Sequence, residues 1–403
     1  MLHRVVEISE MVRSYVPEPV IVGFCRTPFG KYRGGLSHLK ATELGSKAIR
    51  GLLGSLEIDP RSGVIDGVYM GMVLQAGAGQ APARQASLGA GLPYSTPATT
   101  LNKVCGSSLK SVMIAAMEIE SGRSDVIIAG GMESMSNAPM IAMDVSRGET
   151  VEYSSLASIL HLDGLTDAFS GDSMGISGET IAKEEGVTRI SADSYSLASH
   201  ARASESWFNG WTKREITPIG DLNRDEGVRD NPSMEALSKL KPVFVEGGIV
   251  TAGNSSQVSD GAAALLICSR KAANEHGWPI LGSIVDFETS GVEPSRVMSA
   301  PIPCIEELLR RAGLSSHDVD LYEHNEAFAT ASCGIKGHFQ IPDDKFNIQG
   351  GAIAIGHPLG ASGARCLMSL LSSMERTGGS LGIVTLCLGG GNAVGMLVSR
   401  AEN

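Results

Sequence analysis

The stretch Leu101-Asn102-Lys103-Val104-Cys105-Gly106-Ser107-Ser108-Leu109-Lys110 starts polar, turns at one cysteine and one glycine, and opens an apolar run. Apolar residues then recur at the spacing of one helix face, at Leu109, Val112, Met113, Ala116 and Met117. This periodicity predicts a helix that the hydroxyls of Ser107 and Ser108 cap and that Gly122 ends. Cys105 therefore lies at or just before a helix N-terminus.

A cysteine in this position is a candidate nucleophile. The free N–H groups and the dipole of a helix N-terminus favour a thiolate, which is the nucleophilic form of the side chain. The alternative is that Cys105 is a small buried hydrophobe without a chemical role, as most free cysteines are. Stretches far down the chain decide between the two.

The composition indicates a large protein with an apolar interior. The chain has 403 residues, of which 42% are hydrophobic and 19% charged, which predicts two or three domains. A formal net charge of -11 argues against nucleic-acid binding. No apolar run is long enough to cross a bilayer, so we expect no membrane insertion.

The cysteine pattern and the N-terminal stretch both concern the cellular compartment of the protein. The seven cysteines form no C-x-x-C pair, which predicts reduced thiols, an intracellular and cytoplasmic protein, and no metal site. Residues 1–18 contain Glu7, Glu10 and Glu18 and no uninterrupted apolar segment, unlike a transit or secretory signal. We expect them to form a surface-packed extension.

Buried strands alternate with helices in the first part of the chain. Residues 19–24, 67–71 and 125–131 have the apolar composition of strands buried on both faces, which predicts a parallel sheet covered by helices on each side. We assign residues 19–135 to an N-terminal half that is completed by about residues 258–280.

The middle of the chain has a different composition. Residues 136–257 are richer in Ser, Asp, Glu and Arg, lose the alternation of strands and helices, and include an amphipathic helix around residues 193–208. We expect an inserted, substrate-facing loop domain, because long insertions are usually functional. The alternative is a surface decoration.

The last part, residues 281–403, repeats the first. Asp66 and Asp320 follow matching helical segments. Cys105 comes 39 residues after Asp66, and His357 comes 37 residues after Asp320. Both residues stand at glycine-rich turns that lead into helices. Two copies packed about a pseudo-twofold axis would bring these turns together. The repeat thus gives a reason for Cys105 and His357 to meet.

Three downstream stretches carry polar or nucleophilic groups. The amide of Asn325 can hold a water or an oxyanion, although Asn is also a common helix cap. His357, in a glycine-rich loop, can accept a thiol proton at neutral pH. Cys387 precedes three glycines whose N–H groups can form an oxyanion hole, and the alternative is a thiol in the core.

In this order, the motifs closely resemble those of the thiolase family, over nearly the whole chain from about Pro19 to Val398. The motifs are Asn102-Lys103-Val104-Cys105-Gly106-Ser107, Gly130-Gly131-Met132-Glu133-Ser134-Met135-Ser136, Val250-Thr251-Ala252-Gly253-Asn254-Ser255-Ser256, Asn325-Glu326-Ala327-Phe328, Gly356-His357-Pro358 and Cys387-Leu388-Gly389-Gly390-Gly391. The resemblance implies an α/β thiolase fold, in which two repeated halves pack as a five-layered αβαβα core with an inserted loop domain.

The resemblance also implies the chemistry. Thiolases join or split acyl-coenzyme A (acyl-CoA) thioesters, and neither a metal nor a permanently bound cofactor is expected. Cys105 would take the acyl group, while His357 activates it and helps hold the thioester oxygen with a water positioned by Asn325. Cys387 would remove the α-proton of a second acetyl-CoA. The backbone N–H groups of Cys105 and Gly389 would form the second oxyanion hole.

Further residues are implied for coenzyme A (CoA). Arg229 would contact the nucleotide end and Ser256 the pantetheine arm, and apolar side chains would line the channel unless they only pack in the core. These are Leu165, Met174, Phe244, Ala327 and Phe328. The family also implies acetyl-CoA and acyl-CoA as partners, and a homo-oligomer that is a dimer or a dimer of dimers.

Two departures leave the acyl chain length open. Short-chain biosynthetic members carry His-Met-Gly where this chain has Ser173-Met174-Gly175, and Gln257 stands where a glycine is common. The first hypothesis is a thiolase acting on acetoacetyl-CoA, and the second a degradative 3-ketoacyl-CoA thiolase with longer substrates. A non-catalytic lipid carrier of this fold should have lost one of the four reactive residues, and all four are present.

Overall fold

The structure is a computed structural model that describes residues 16–143, 145–146 and 148–400. Most of the predicted N-terminal extension, residues 1–15, lies outside the described residues. Glu18, which belongs to the predicted extension, pairs with Arg270, whose Nη2 is 2.8 Å from Oε1 of Glu18. No helix in the described part of the chain is both long enough and apolar enough to span a bilayer.

The strands and helices alternate through most of the chain. The strands are β1 (Pro19–Arg26), β2 (Gly30–Lys31), β3 (Gly67–Gly71), β4 (Ala98–Leu101), β5 (Val126–Ser134), β6 (Met140–Ala142), β7 (Leu156–Ser158), β8 (Ser259–Ser269), β9 (Gly282–Gly291), β10 (Leu321–His324), β11 (Leu381–Leu388) and β12 (Asn392–Ser399). The helices are α1 (Ala41–Ser55), α2 (Pro82–Gly89), α3 (Ser107–Glu120), α4 (Met174–Glu184), α5 (Arg189–Phe208), α6 (Met234–Ser238), α7 (Arg270–His276), α8 (Pro301–Ala312), α9 (Ala329–His338), α10 (Ala352–Ile355) and α11 (Ser362–Thr377).

One large mixed sheet organises the molecule. Its order is β10-β11-β12-β9-β1-β8-β5-β3-β4, with β2 paired to β8, while β6 and β7 form a separate two-stranded sheet. Only β3–β4, β3–β5 and β10–β11 are parallel pairs, and the other pairings are antiparallel. The prediction of a parallel sheet is therefore wrong, because β8 returns against β5 and the short turn after β11 forces an antiparallel β12.

The two parts of this sheet and the helices packed on them form five layers. In the centre, α3 packs against α11, and the two lie between the β1-β8-β5-β3-β4 part and the β9-β12-β11-β10 part of the sheet. Helix α1 covers the outer face of the first part. Helix α8 covers the outer face of the second part. The predicted αβαβα arrangement is confirmed, and α3 and α11, which carry the two glycine-rich turns, are direct neighbours.

Two equivalent carboxylates reflect the internal repeat. Oδ2 of Asp66 accepts the backbone N–H groups of Asp125 and Val126 at 2.8 and 2.9 Å, at the start of β5. Oδ2 of Asp320 accepts those of Ser380 and Leu381 at 2.8 and 3.0 Å, at the start of β11. The two aspartates that the sequence aligned thus make the same contacts.

The segment between β5 and β8 carries β6, β7 and α4 to α6 and packs near the loop that follows β10. Buried hydroxyl groups on α5 hold Glu326 in this loop: the hydroxyl of Tyr195 donates to Oε1 at 2.9 Å and that of Ser199 to Oε2 at 2.6 Å. The boundaries 19–135, 136–257 and 281–403 remain a prediction.

Candidate active site

Cys105 follows a strained turn. Val104 has a φ of 47°, a left-handed conformation that costs a β-branched residue about 1–3 kcal/mol. Its N–H donates to Oδ1 of Asn102 at 2.9 Å, and its carbonyl accepts the hydroxyl of Ser107 at 2.6 Å. These side chains hold the turn that places Cys105 ahead of α3.

The predicted hydroxyl caps of α3 are absent. The N-cap is Gly106, and no side chain caps the helix. The hydroxyl of Ser107 accepts the N–H of Lys103 at 2.9 Å instead. That of Ser108 accepts the N–H of Ala364 in α11 at 2.9 Å. The prediction is wrong because Ser108 faces the neighbouring helix, where it links the two halves.

One cavity of about 400 Å³ gathers most of the predicted site. Nine of the predicted residues line it: Cys105, Leu165, Met174, Ser256, Ala327, Phe328, His357, Cys387 and Gly389. They come from segments separated by up to 284 residues in the chain, between Cys105 and Gly389. The internal repeat therefore does bring Cys105 and His357 to one site.

His357 is held in one orientation, and burial favours its neutral form. The hydroxyl of Ser362 donates to the carbonyl of Pro358 at 2.9 Å, so its oxygen accepts Nδ1–H of His357 at 2.6 Å. This leaves Nε2 unprotonated and able to accept a proton. Burial, aided by the positive charge of Arg365, lowers the pKa of His357 to about 3.

Asn325 lies behind His357 and does not line the cavity. Its Nδ2 is 3.3 Å from Nε2 of His357, and its Oδ1 accepts Nη2–H of Arg365 at 3.3 Å. The Asn325 side chain therefore contacts the site through the imidazole.

Burial favours the protonated form of both thiols. Burial raises the pKa of Cys105 well above its usual range, and the neighbouring Cys387 raises it further, although the backbone N–H groups of Cys105 and Gly389 at the sulfur partly offset the rise. The prediction of a thiolate at the helix N-terminus is therefore wrong, since desolvation outweighs the dipole. Burial also raises the pKa of Cys387 to about 12, and its thiol lies 3.5 Å from Sδ of Met298.

Two of the predicted CoA residues lie outside the cavity lining. Arg229 is exposed, and its backbone N–H donates to Nδ1 of His200 at 3.2 Å. Phe244 packs edge-to-face on Phe328, with ring centroids 6.1 Å apart. Phe244 thus supports a wall of the cavity from behind, while contact of Arg229 with the nucleotide remains a prediction.

The two positions that depart from the family pattern have structural partners. Ser173 is the N-cap of α4, and its backbone pairs with that of Thr166. Met174 lines the cavity, whereas Ser173 does not. Nε2 of Gln257 donates to the carbonyls of Gly227, Ile353 and Ala354 at 3.1, 2.9 and 3.0 Å. The carbonyl of Gln257 accepts the N–H of His357 at 2.9 Å, so Gln257 supports the histidine loop.

Sequence reasoning missed several residues of the site. Val297 and Met298, on a 3-10 turn (Pro294–Ser299), line the cavity, and no motif marks them. The buried carboxylate of Glu133 in β5 accepts the backbone N–H groups of Val73, Leu74 and Gly360 at 3.0, 3.1 and 2.9 Å. It thereby ties the histidine loop to the first half. Glu133 belongs to the family motif of residues 130–136, but the sequence assigns it no role, because its three partners lie far away in the chain.

Two thiols and a histidine on one cavity are groups suited to acyl transfer through a thioester. Among the residues described, no cluster of three or more His, Cys, Asp or Glu side chains could hold a metal.

Comparisons with known proteins identify the family. The family described as "Thiolase, N-terminal domain" matches residues 19–271, and "Thiolase, C-terminal domain" matches residues 278–400. The chain therefore belongs to the thiolase family and is an acyltransferase.

Curated relatives and a solved structure match along almost their full length. An acetyl-CoA acetyltransferase of Chromobacterium violaceum is 42% identical over 95% of this chain and 100% of its own. The cytosolic acetyl-CoA acetyltransferase of Rattus norvegicus is 41% identical over 94% of this chain and 98% of its own. The crystal structure of human mitochondrial 3-ketoacyl-CoA thiolase in complex with CoA matches with a TM-score of 0.91 at 36% identity, over 96% of this chain and 98% of that one.

Proposed function

We propose that this thiolase catalyses the reversible Claisen condensation of two acetyl-CoA molecules to acetoacetyl-CoA and CoA, through an acetyl-cysteine at Cys105. The observation that carries the proposal is the convergence of Cys105, His357 and Cys387 on one cavity. The names of the relatives that are 41–42% identical support acetyl-CoA as the substrate.

In the first half-reaction, the sulfur of Cys105 attacks the thioester carbon of acetyl-CoA. Because the thiol is protonated at rest, its proton passes to Nε2 of His357 as the bond forms. The backbone N–H groups of Cys105 and Gly389 stabilise the developing oxyanion. The carbon–sulfur bond to CoA then breaks, and the thiol of Cys387 protonates the departing sulfur.

In the second half-reaction, the Cys387 thiolate removes the α-proton of a second acetyl-CoA. The protonated His357 and a water held by Asn325 stabilise the enolate oxygen, so that the carbanion can form within the site. The enolate attacks acetyl-Cys105, and the released sulfur recovers its proton from His357. Each group thus returns to its starting protonation state, as turnover requires.

We propose that CoA binds along the cavity as the family pattern predicts. Ser256 would contact the pantetheine arm, and Leu165, Met174, Ala327 and Phe328 would contact the arm and the acyl group. Their position on the cavity wall supports these roles. Arg229 would meet the nucleotide outside the cavity.

A second candidate is a 3-ketoacyl-CoA thiolase that takes longer acyl chains. It is favoured by Ser173 at the position of the usual histidine and by the apolar side chains of Leu162, Val297 and Met298 on the cavity. Comparing kcat/KM for thiolysis of four-carbon and eight-carbon 3-ketoacyl-CoA distinguishes the candidates. The short-chain proposal predicts a clear preference for four carbons, and equal or faster turnover of the longer substrate contradicts it.

We further propose a homo-oligomer, either a dimer or a homotetramer built as a dimer of dimers, located in the cytoplasm. The name of the rat relative includes the word cytosolic, which supports the location. Light scattering on the purified protein measures the mass of the particle, and a monomer at micromolar concentration contradicts the proposal.

A further inference from the structure

A buried arginine contacts the asparagine behind the catalytic histidine. Arg365, in α11, is fully buried. Its Nη1 donates to Oε1 of Glu323 at 2.7 Å, and its Nη2 donates to Oδ1 of Asn325 at 3.3 Å. Glu323 lies in β10 and Asn325 immediately follows that strand. The guanidinium of Arg365 therefore bridges the side chains of Glu323 and Asn325.

This contact settles which end of the Asn325 amide faces the site. A guanidinium can only donate hydrogen bonds, so the amide oxygen must face Arg365 and the NH₂ group must face Nε2 of His357. A reversed amide would set its oxygen against the lone pair of Nε2 and its NH₂ group against another donor. The other neighbour of Oδ1 is the thiol of Cys366 at 3.9 Å, which is a weak donor.

We propose that Arg365 is a positioning residue, which fixes the amide orientation of Asn325 and so the donor that Asn325 supplies to the oxyanion site. This inference rests on the role proposed for Asn325. The bridge between a carboxylate and an amide needs two donors in a fixed planar geometry, which arginine has and lysine lacks.

The competing explanation is that Arg365 serves only as the buried ion partner of Glu323. Arg26 provides a matched control for this explanation. It is also buried, and it pairs with Asp225 at 2.7 and 2.9 Å and with Glu215 at 3.2 Å. Arg26 contacts neither Asn325 nor His357 through any described hydrogen bond.

The first experiment compares Arg365→Lys with Arg26→Lys. Both substitutions keep a buried positive charge, so we expect similar decreases in melting temperature. Because only Arg365→Lys frees the Asn325 amide, it should lower kcat about tenfold or more, whereas Arg26→Lys should keep kcat within about twofold. KM for acetyl-CoA should remain within about twofold in both, because neither side chain lines the cavity. Equal kcat values for the two variants overturn the proposal.

A double-mutant cycle tests whether Arg365 acts through Asn325. Asn325→Ala should lower kcat, and adding Arg365→Lys in that background should change kcat by no more than about twofold. Independent, multiplicative losses overturn the proposal. If Asn325→Ala alone leaves kcat unchanged, the role proposed for Asn325 is the one that fails, so the two failures are distinguishable.

A charge-free variant covers the case in which Arg365→Lys does not fold. Substituting Glu323→Gln together with Arg365→Met leaves no unpaired buried charge and no donor at position 365, and it preserves folding better than removing one charged partner. The proposal predicts the same loss of kcat in this folded variant. Wild-type kcat in it overturns the proposal.

Discussion

At the scale of single residues, the hydroxyl of Ser362 determines how His357 works, because it accepts Nδ1–H and leaves Nε2 as the proton acceptor. Ser362→Ala removes this partner, and we expect the rate of Cys105 acetylation to fall about tenfold, the value of one buried hydrogen bond to a reacting group. The measurement is single-turnover labelling by acetyl-CoA. Ser373→Ala is the control, since that buried hydroxyl, on the same helix, has no hydrogen-bond partner among the described residues. Equal rates for the two variants contradict the assignment.

The pH dependence follows from the same buried groups. Burial lowers the pKa of His357 from 6.5 to about 3, and raises that of Cys387 to about 12. A base with a lowered pKa becomes charged only as the pH falls towards that value, so His357 stays able to accept a proton in mild acid. The rate of Cys105 acetylation should be constant between about pH 5 and pH 9. An acid limb with a midpoint near 6.5, the ordinary value for histidine, contradicts this.

The residues proposed to react could be marked in the sequence, and the structure brings them to one cavity, but the residues that support them could not be predicted. Cys105, His357 and Cys387 stand beside glycines at the ends of apolar segments, and this context marks them. Arg365 lies among serines and small residues in α11, a pattern typical of an exposed helix face, yet it is fully buried. Its partner Glu323 lies 42 residues away, and only the packed structure brings them together.

At the scale of secondary-structure elements, the equivalent carboxylates Asp66 and Asp320 start β5 and β11 in the two halves. Asp66→Ala and Asp320→Ala each leave two backbone N–H groups without their acceptor, and we expect each to lower the free energy of unfolding by about 1–2 kcal/mol. Thermal unfolding compares them with Asp221→Ala, an exposed site that should change it by less than about 0.5 kcal/mol. A loss at one aspartate alone contradicts their equivalence.

The existence of the elements was easier to predict than their direction. The helix after Cys105 was predicted from its apolar spacing and is observed as α3, from Ser107 to Glu120. The direction of β8 could not be read in the same way, since a strand buried on both faces is apolar whether its neighbours are parallel or antiparallel. Strand pairing is a property of the whole sheet.

At the scale of the whole molecule, the central pair α3 and α11 explains why residues of two halves form one site. The turns before these helices carry Cys105 and His357, and contacts such as Ser108 to Ala364 and Glu133 to Gly360 hold the halves together there. Strand β11 adds Cys387, two residues before the glycine turn that leads to β12. The duplicated fold thus provides three reactive groups from separate segments.

The most direct test of the account is labelling by radioactive acetyl-CoA, combined with α-proton exchange, in the wild type and two variants. Cys105→Ala should abolish covalent labelling, because Cys105 carries the acetyl group. Cys387→Ala should still form the labelled thioester, more slowly because the departing CoA sulfur loses its proton donor, but it should lose α-proton exchange, because Cys387 is the base. Covalent labelling of Cys105→Ala, or exchange at the wild-type rate in Cys387→Ala, would contradict the assignment of the two thiols.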